Sequence, residues 1–420
     1  MATAFTNRVF GCVIIKSVNS NYNADFTHQP RTLPDGTVYA TDKALKYTVR
    51  NYFKKAYPND KVFYFKTMDA DFKPRTLDET YKLYFGDFPK KSAKKSTGAE
   101  SEKFFLFKYD GEVITGLLPG QVKSAAVKKY FKELPENSDL KTLSSAFGKV
   151  TGKKSEQQTS LFVESKLSED EDECFFYVES GQLQKIEGTF ADIETVANEL
   201  DNLVTGGLDR NVILANLLSC LDIRLFGGTY AGQANLSMHG SLQITHGIDR
   251  YRLGNIYSEQ IMSPFRNPGE KNAGSTMTTL GTQSKLSEGH YVHGLSLNPH
   301  NLTDLVKSSS GQPLNEEDIT KVKKALTQGA TLYDSAAKAG TENELMLWVQ
   351  LKTGSMLVLP SFVELISVGV DRVINLSKVT EILSRESVAS HIERIELYYD
   401  KTVTAVMGEP NNATILELNQ

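Results

Sequence analysis

The chain has 420 residues, 40% of them hydrophobic and 23% charged, with a formal net charge of −4. These values belong to a soluble globular protein with length for two or three domains; no apolar run nears the roughly 18 residues that span a bilayer, and residues 1–8 do not open a signal peptide. The small negative charge excludes a histone-like or tail-driven nucleic-acid binder, though not a basic groove on an otherwise acidic molecule.

Residues 9–18 read as a buried strand, since Val13, Ile14, Ile15 and Val18 are β-branched. An Asn-rich polar loop follows, and then a helix for which Thr41 is the expected N-cap and Asp42 suits the positive end of the dipole. Pro58 limits its length. Lys43, Lys46, Arg50 and Lys54 fall within an arc of roughly 80° on this helix, and Leu45, Val49, Tyr52 and Ala56 fall opposite. One side is core and the other a row of cations. Such a row beside a helix N-terminus suits a polyanion backbone, the alternative being an ordinary solvated face.

Residues 61–66 are expected as a short strand and 90–102 as a Lys/Ser/Gly-rich surface loop. Residues 104–113, with Asp110-Gly111 at the turn, suggest a hairpin that restarts at Ile114. Helical spacing covers 122–133 and 189–203, with strand character at 174–179. The stretch from about 69 to 202 is therefore expected as an inserted subdomain. Beyond it, 209–218 is expected as a helix running into a strand at 221–226, then Gly227-Gly228-Thr229-Tyr230 and a second strand region at 235–248. Residues 256–289 are polar, with Met262, Phe265, Met277 and Leu280 interspersed. Their length argues for a functional excursion such as a projecting hairpin. Strands are expected at 290–297, 345–352, 356–359 and 392–399, and helices at 302–308 and 315–328. No internal repeat is evident.

Stripped of insertions, the order is strand, helix, strand, strand, helix, strand: an α+β chain in the split βαβ arrangement of ferredoxin-like and RNA-recognition folds. Charge is uneven along it. Residues 31–132 are lysine-rich, including Lys90, Lys91, Lys94 and Lys95, while 164–201 and the last sixty residues lean acidic. That polarity favours head-to-tail attraction between copies. Cys12, Cys174 and Cys220 are far apart and lack thiol–metal spacing, so they read as reduced core residues in a cytoplasmic protein.

Two blocks of residues resemble a known family, the crRNA-binding backbone subunit of type I CRISPR surveillance complexes (Cascade), the DevR-like group, closest to its type I-B and I-C branches. The first block is residues 19–25 with Arg31, the Pro34–Gly36 turn, and Thr41, Asp42, Lys43, Lys46 and Arg50. The second is Asp222-Ile223-Arg224-Leu225-Phe226-Gly227-Gly228, then His239-Gly240-Ser241-Leu242-Gln243 and Gly247-Ile248-Asp249-Arg250. Thr282, Glu288, His290 and Tyr291 stand where the family's "thumb" hairpin returns to the sheet. The resemblance covers roughly 8–60 and 208–352. The insertion is longer than the family's, and the family's Gly-Pro-Val-Gln reads Gly240-Ser241-Leu242-Gln243 here.

The resemblance implies an RRM/ferredoxin-like palm over 1–68 and 208–360 and a thumb hairpin at about 254–291, interrupted by an inserted subdomain at 69–207; the C-terminal extension at 361–420 matches nothing in the family. It implies that Asn21, Asn23, Arg31, Thr41, Lys43, Lys46, Arg50, Gln243 and Arg250 bind RNA, and that Met262, Phe265 or Met277 wedges beside a displaced base. The implied partners are a crRNA, a target DNA strand paired to it, neighbouring copies in a helical filament, and the large, small, 5′-cap and 3′-hairpin Cascade subunits. No membrane, metal or cofactor is expected, and no enzymatic activity.

The competing class is a CRISPR-associated RNA-processing nuclease using His239, His246, His290 or His293. His239 and His246 lie seven apart in a strand and point to opposite faces. No neighbouring carboxylate pair orients these histidines, which read as structural or surface residues. No Walker loop, nucleophile elbow or dinucleotide fingerprint is present. A scaffold that binds only protein is a third reading.

Overall fold

A computed structural model describes residues 3–90, 106–109, 114–116, 174–179, 182–185, 207–262 and 280–419. It is a mixed α/β structure with several sheets, divided into two compact units: Met1–Asp87 with Asn211–Gln420, and Phe88–Arg210. The second unit holds a four-stranded antiparallel sheet in the order Ile114–Gly116, Leu106–Tyr109, Cys174–Glu179, Gln182–Lys185. The expected hairpin across Asp110-Gly111 is thus present as paired strands. The helices expected at 122–133 and 189–203 lie outside the described residues.

The first unit is built on one large sheet. In chain order its principal elements are β1 (Val9–Ser20), β2 (Tyr39–Ala40), α1 (Asp42–Ala56), α2 (Leu77–Phe85), α3 (Arg210–Leu218), α4 (Leu221–Phe226) and β3 (Leu242–Asp249). There follow β4 (Ile256–Met262), β5 (Leu280–Leu297), α5 (Thr303–Ser309), α6 (Glu316–Gln328), β6 (Thr341–Leu351), β7 (Ile392–Tyr399) and β8 (Ala413–Leu416). The sheet order is β8-β7-β6-β1-β5-β3-β2, with β4 paired to the outer part of β5. β1 is central, and Val13 lies opposite His293 of β5 and Met346 of β6. Among the described residues no helix is long and apolar enough to cross a membrane.

β1 is buried on both faces, which is why it reads as a near-continuous apolar run rather than an alternating one. Phe10, Cys12 and Ile14 join a core with Phe362, Ile374, Val379 and Leu397 from the C-terminal part of the chain. Their alternates Val9, Val13 and Ile15 face the other way and are equally buried. That second face carries α6: Lys323 Nζ sits 4.9 Å from the centre of the Trp348 ring on β6, and α1 packs against α6.

Three strand expectations fail, two of them for one reason. Residues 221–226 form α4, and residues 61–66 form no strand. The fully buried Asp222 carboxylate accepts the backbone N–H groups of Phe63 (2.7 Å) and Tyr64 (2.9 Å), and Leu221 N–H bonds to the Lys61 carbonyl (3.0 Å). The donors that a ladder would use go to a side chain instead. Asp222 and Arg224 mimic the polar face of a strand because both are buried and paired. Arg224 grips Asp318 through two bonds of 2.8 and 2.7 Å. Gly227 ends α4 with φ 64°, where a Cβ would stand 2.2 Å from the Met238 carbonyl oxygen. Residues 356–359, the third failure, are irregular, with Met356 and Val358 exposed.

A short internal repeat, not expected, is also present. Asp25 to Leu33 and Asp69 to Leu77 share Pro-Arg-Thr-Leu at their ends and fold into the same turn. The aspartate carboxylate accepts N–H groups two and four residues on: Thr27 (2.8 Å) and Gln29 (3.0 Å) in one, Asp71 (2.9 Å) and Lys73 (2.8 Å) in the other. His28 and Phe72 are left-handed, at φ 64° and 61°. Arg31 and Arg75 each return a guanidinium N–H to the carbonyl preceding the aspartate. Asx bonding offsets the strain of a left-handed non-glycine residue.

Candidate nucleic-acid interface

The Asn-rich loop and α1 are joined by side-chain bonds that hold the helix start in place. Thr41 caps α1 by backbone geometry but not by its side chain. Instead the Asn23 Oδ1 accepts from both Thr41 N–H (2.8 Å) and Thr41 Oγ1 (3.0 Å). Asn21 is buried and donates to the carbonyls of His28 (3.1 Å) and Ser284 (3.2 Å), and its Oδ1 is buried without a partner among the described residues. Arg31 donates to the Ala24 carbonyl (3.0 Å). Three of the expected contacts thus build the loop: Asn21 and Asn23 fasten it to β5 and α1, and Arg31 closes its turn.

The cationic face of α1 is present but unequal along its length. Leu45, Val49, Tyr52 and Phe53 are buried on the opposite side, while Ala56 is exposed. Lys43 is exposed and has no ion-pair partner among the described residues. Lys46 pairs with Asp42 at 2.8 Å; partial burial works against the Asp42 carboxyl, but Lys46 holds it below the ordinary carboxylate value. Arg50 pairs with Asp222 at 2.9 Å and lies 5.0 Å above the Phe226 ring, over which Lys46 also sits at 5.7 Å. Lys54 stands 5.9 Å from the Tyr84 ring. The Lys46 and Arg50 side chains are each 15% exposed, so Lys43 carries the most available charge.

The second block lies beside this face. Asp42 N–H donates to His246 Nδ1 at 3.3 Å. Gln243 is exposed and donates to the Gly240 carbonyl (2.9 Å). Ser241 takes the place of the family's proline, and its N–H bonds to the Arg224 carbonyl at 3.1 Å, a bond proline cannot make. Arg250 turns toward the C-terminal part of the chain, donating to the Val363 carbonyl (2.8 Å) and pairing with Glu364 (2.5 Å). Of the hairpin residues, Phe265 and Met277 lie outside the described residues, and Met262 is the last residue of β4, described by its backbone alone.

His290 and His293 serve the sheet, whereas His239 and His246 are exposed. Contrary to the expectation that no carboxylate pair flanks the histidines, His290 is buried between Glu344 (2.6 Å) and Glu288 (3.4 Å), two acids distant from one another in the chain, and Arg372 binds Glu288 through two bonds of 2.7 and 3.0 Å. Burial pulls the His290 pKa down, but the two carboxylates outweigh it and raise it above the ordinary value. His293 is buried between Tyr22 OH (3.3 Å) and the Thr245 carbonyl (3.0 Å), and burial lowers its pKa to about 4. Among the described residues no cluster of His, Cys, Asp or Glu could hold a metal ion. Sequence reasoning missed Asp222, Phe226 and Tyr64, whose ring centre lies 5.9 Å from the Arg50 guanidinium, as supports of Arg50. The available signal was an acid and an arginine alternating inside the apolar run 221–226.

No curated protein is detectably similar in sequence. Solved chains match in structure, two of them at 12% sequence identity. One, a "CRISPR RNA-guided surveillance complex, pre-nicking", covers 98% of this chain and 96% of its own at a TM-score of 0.44. The other, a "CRISPR RNA-guided surveillance complex", covers 95% of each at 0.34. The family model for the CRISPR-associated protein Cas7 matches residues 7–382, so the chain belongs to the Cas7 family.

Proposed function

We propose that this protein is the crRNA-binding backbone subunit of a type I Cascade complex, without enzymatic activity of its own and working in the cytoplasm. The family match over residues 7–382 carries the reading. The order of the sheet supports a split βαβ palm: β1, α1, β3, β5, α6 and β6 succeed one another in the chain, and their strands lie β6-β1-β5-β3. In this reading residues 1–68 and 208–360 are the palm, and the arms β4 and β5 begin the thumb. The C-terminal extension adds β7 and β8 to the β6 edge.

The task is to hold a single strand whose sequence varies. Phosphate contacts position such a strand without reading it, and base pairing to a target then supplies specificity. Copies aligned head to tail on one strand make a heterologous contact that propagates as a helix. Assembly with other Cascade subunits follows from the same reading.

Full-length protein purified from a nucleic-acid-rich lysate is expected to carry a protected RNA of uniform length. RNA-free or RNA-degrading material would refute the proposal. Binding to single strands should weaken steeply with salt, and Lys43→Ala with Lys46→Ala should flatten the log–log salt slope by about one to two units. An unchanged slope removes both lysines from the phosphate path.

A further inference from the structure

The cationic face of α1 carries one residue that phosphate contacts do not account for. Tyr47 stands about 40° from Lys43 and about 60° from Arg50 around the helix axis. It is 41% exposed. Its ring stacks on Phe65 (centroids 5.5 Å apart, planes at 22°) and meets Tyr333 edge-on (5.2 Å, 69°). Both partners are themselves partly exposed.

Each ring is held from a different element. Phe65 follows Phe63 and Tyr64, whose N–H groups the Asp222 carboxylate fixes. Tyr333 belongs to the loop before β6, where Asn343 Oδ1 accepts from Ala330 N–H (2.9 Å) and Thr331 N–H (3.0 Å). The block is therefore rigid, and it sits at the surface rather than in either core.

Three aromatic rings at mixed angles suit two ligand chemistries, an organic cation or another flat ring. Lys43, which has no ion-pair partner among the described residues, and Lys46 on the same face oppose a cation. They favour a ring that carries its own negative charge, which is a nucleotide within a single strand.

The geometry points to Tyr47, Phe65 and Tyr333 as a stacking platform for one nucleobase per copy of the chain, with the flanking phosphates directed to Lys43 and Lys46. This rests on the guide-strand reading and adds to it a base contact outside the projecting hairpin. Because every base has a π-face, the contact tolerates any sequence.

The test compares a homopolymer RNA too short for two copies with an abasic sugar–phosphate strand of equal length, titrated against the full chain over a range of salt. Wild-type protein is expected to prefer the base-bearing strand by about 5- to 150-fold, the range of a single aromatic–base stack. Tyr47→Ala should abolish that preference while leaving the salt slope intact, and Tyr47→Phe should restore it. The platform is overturned if Tyr47→Ala keeps the wild-type preference. If wild-type protein binds both strands equally with a steep salt slope, the platform fails and the guide-strand reading survives. If neither strand binds in a salt-dependent manner, both fall.

Discussion

Replacing Asp222 with alanine is expected to cost about 3–5 kcal/mol of folding stability, the usual penalty for breaking a buried ion pair from one side. The substitution strands the Arg50 guanidinium, whose side chain is only 15% exposed, and leaves the Phe63 and Tyr64 N–H groups without their acceptor. Each orphaned buried donor costs about 1–3 kcal/mol, and the losses overlap because they share one carboxylate. Urea denaturation with an unchanged m-value measures the shift. A loss below about 1 kcal/mol would mean that Asp222 does not hold residues 61–66 to α4. The same geometry separates Arg50 from Lys43. Arg50 is already neutralised in place, so its removal acts mainly through stability.

Stability is also expected to peak near pH 6.5 and to fall on both sides, through two histidines of β5. His293 carries the acid limb. An unfolded histidine takes up a proton below about 6.5, but buried His293 does so only at about 4. Stability is present above the unfolded value and is lost as the pH falls toward the folded one, by about 3 kcal/mol. His290 carries the alkaline limb. Its folded pKa is raised by Glu344 and Glu288, so its contribution is complete below about 6.5 and is lost as pH rises through the folded value. Glu288, held below the ordinary carboxylate range by Arg372, acts further into acid. Urea midpoints measured from about pH 4 to 8 should lose only the acid limb in His293→Gln and only the alkaline limb in His290→Gln. Limbs that persist in both variants would place the titrating groups elsewhere.

Much of the fold was legible because local signals and tertiary packing agree. β1 declared itself by its β-branched run, and α1 by a cap and a clean division of apolar and cationic faces. Where buried ions stand in for polar surface, the pattern misled: the Asp222 and Arg224 side chains look solvent-facing in a string of letters, yet both are enclosed and paired. The candidate site was legible in composition but not in allocation. The Asn-rich loop and the cationic row are where residue types placed them, but hydrogen-bond partners distant in sequence decide which groups are spent. Asn21 reaches Ser284, Arg50 reaches Asp222 and Arg250 reaches Glu364, and no periodicity records such pairings.

β5 runs for 18 residues without a break, pairing first with β4 and then, on either side, with β3 and β1. At about 3.3 Å per residue it spans close to 60 Å, so one continuous beam holds β4 at one end and forms a girder of the central sheet at the other. No loop or turn interrupts it where its pairing passes from β4 to β3 and β1. Force applied to its outer end passes straight into the interior, beside Val13.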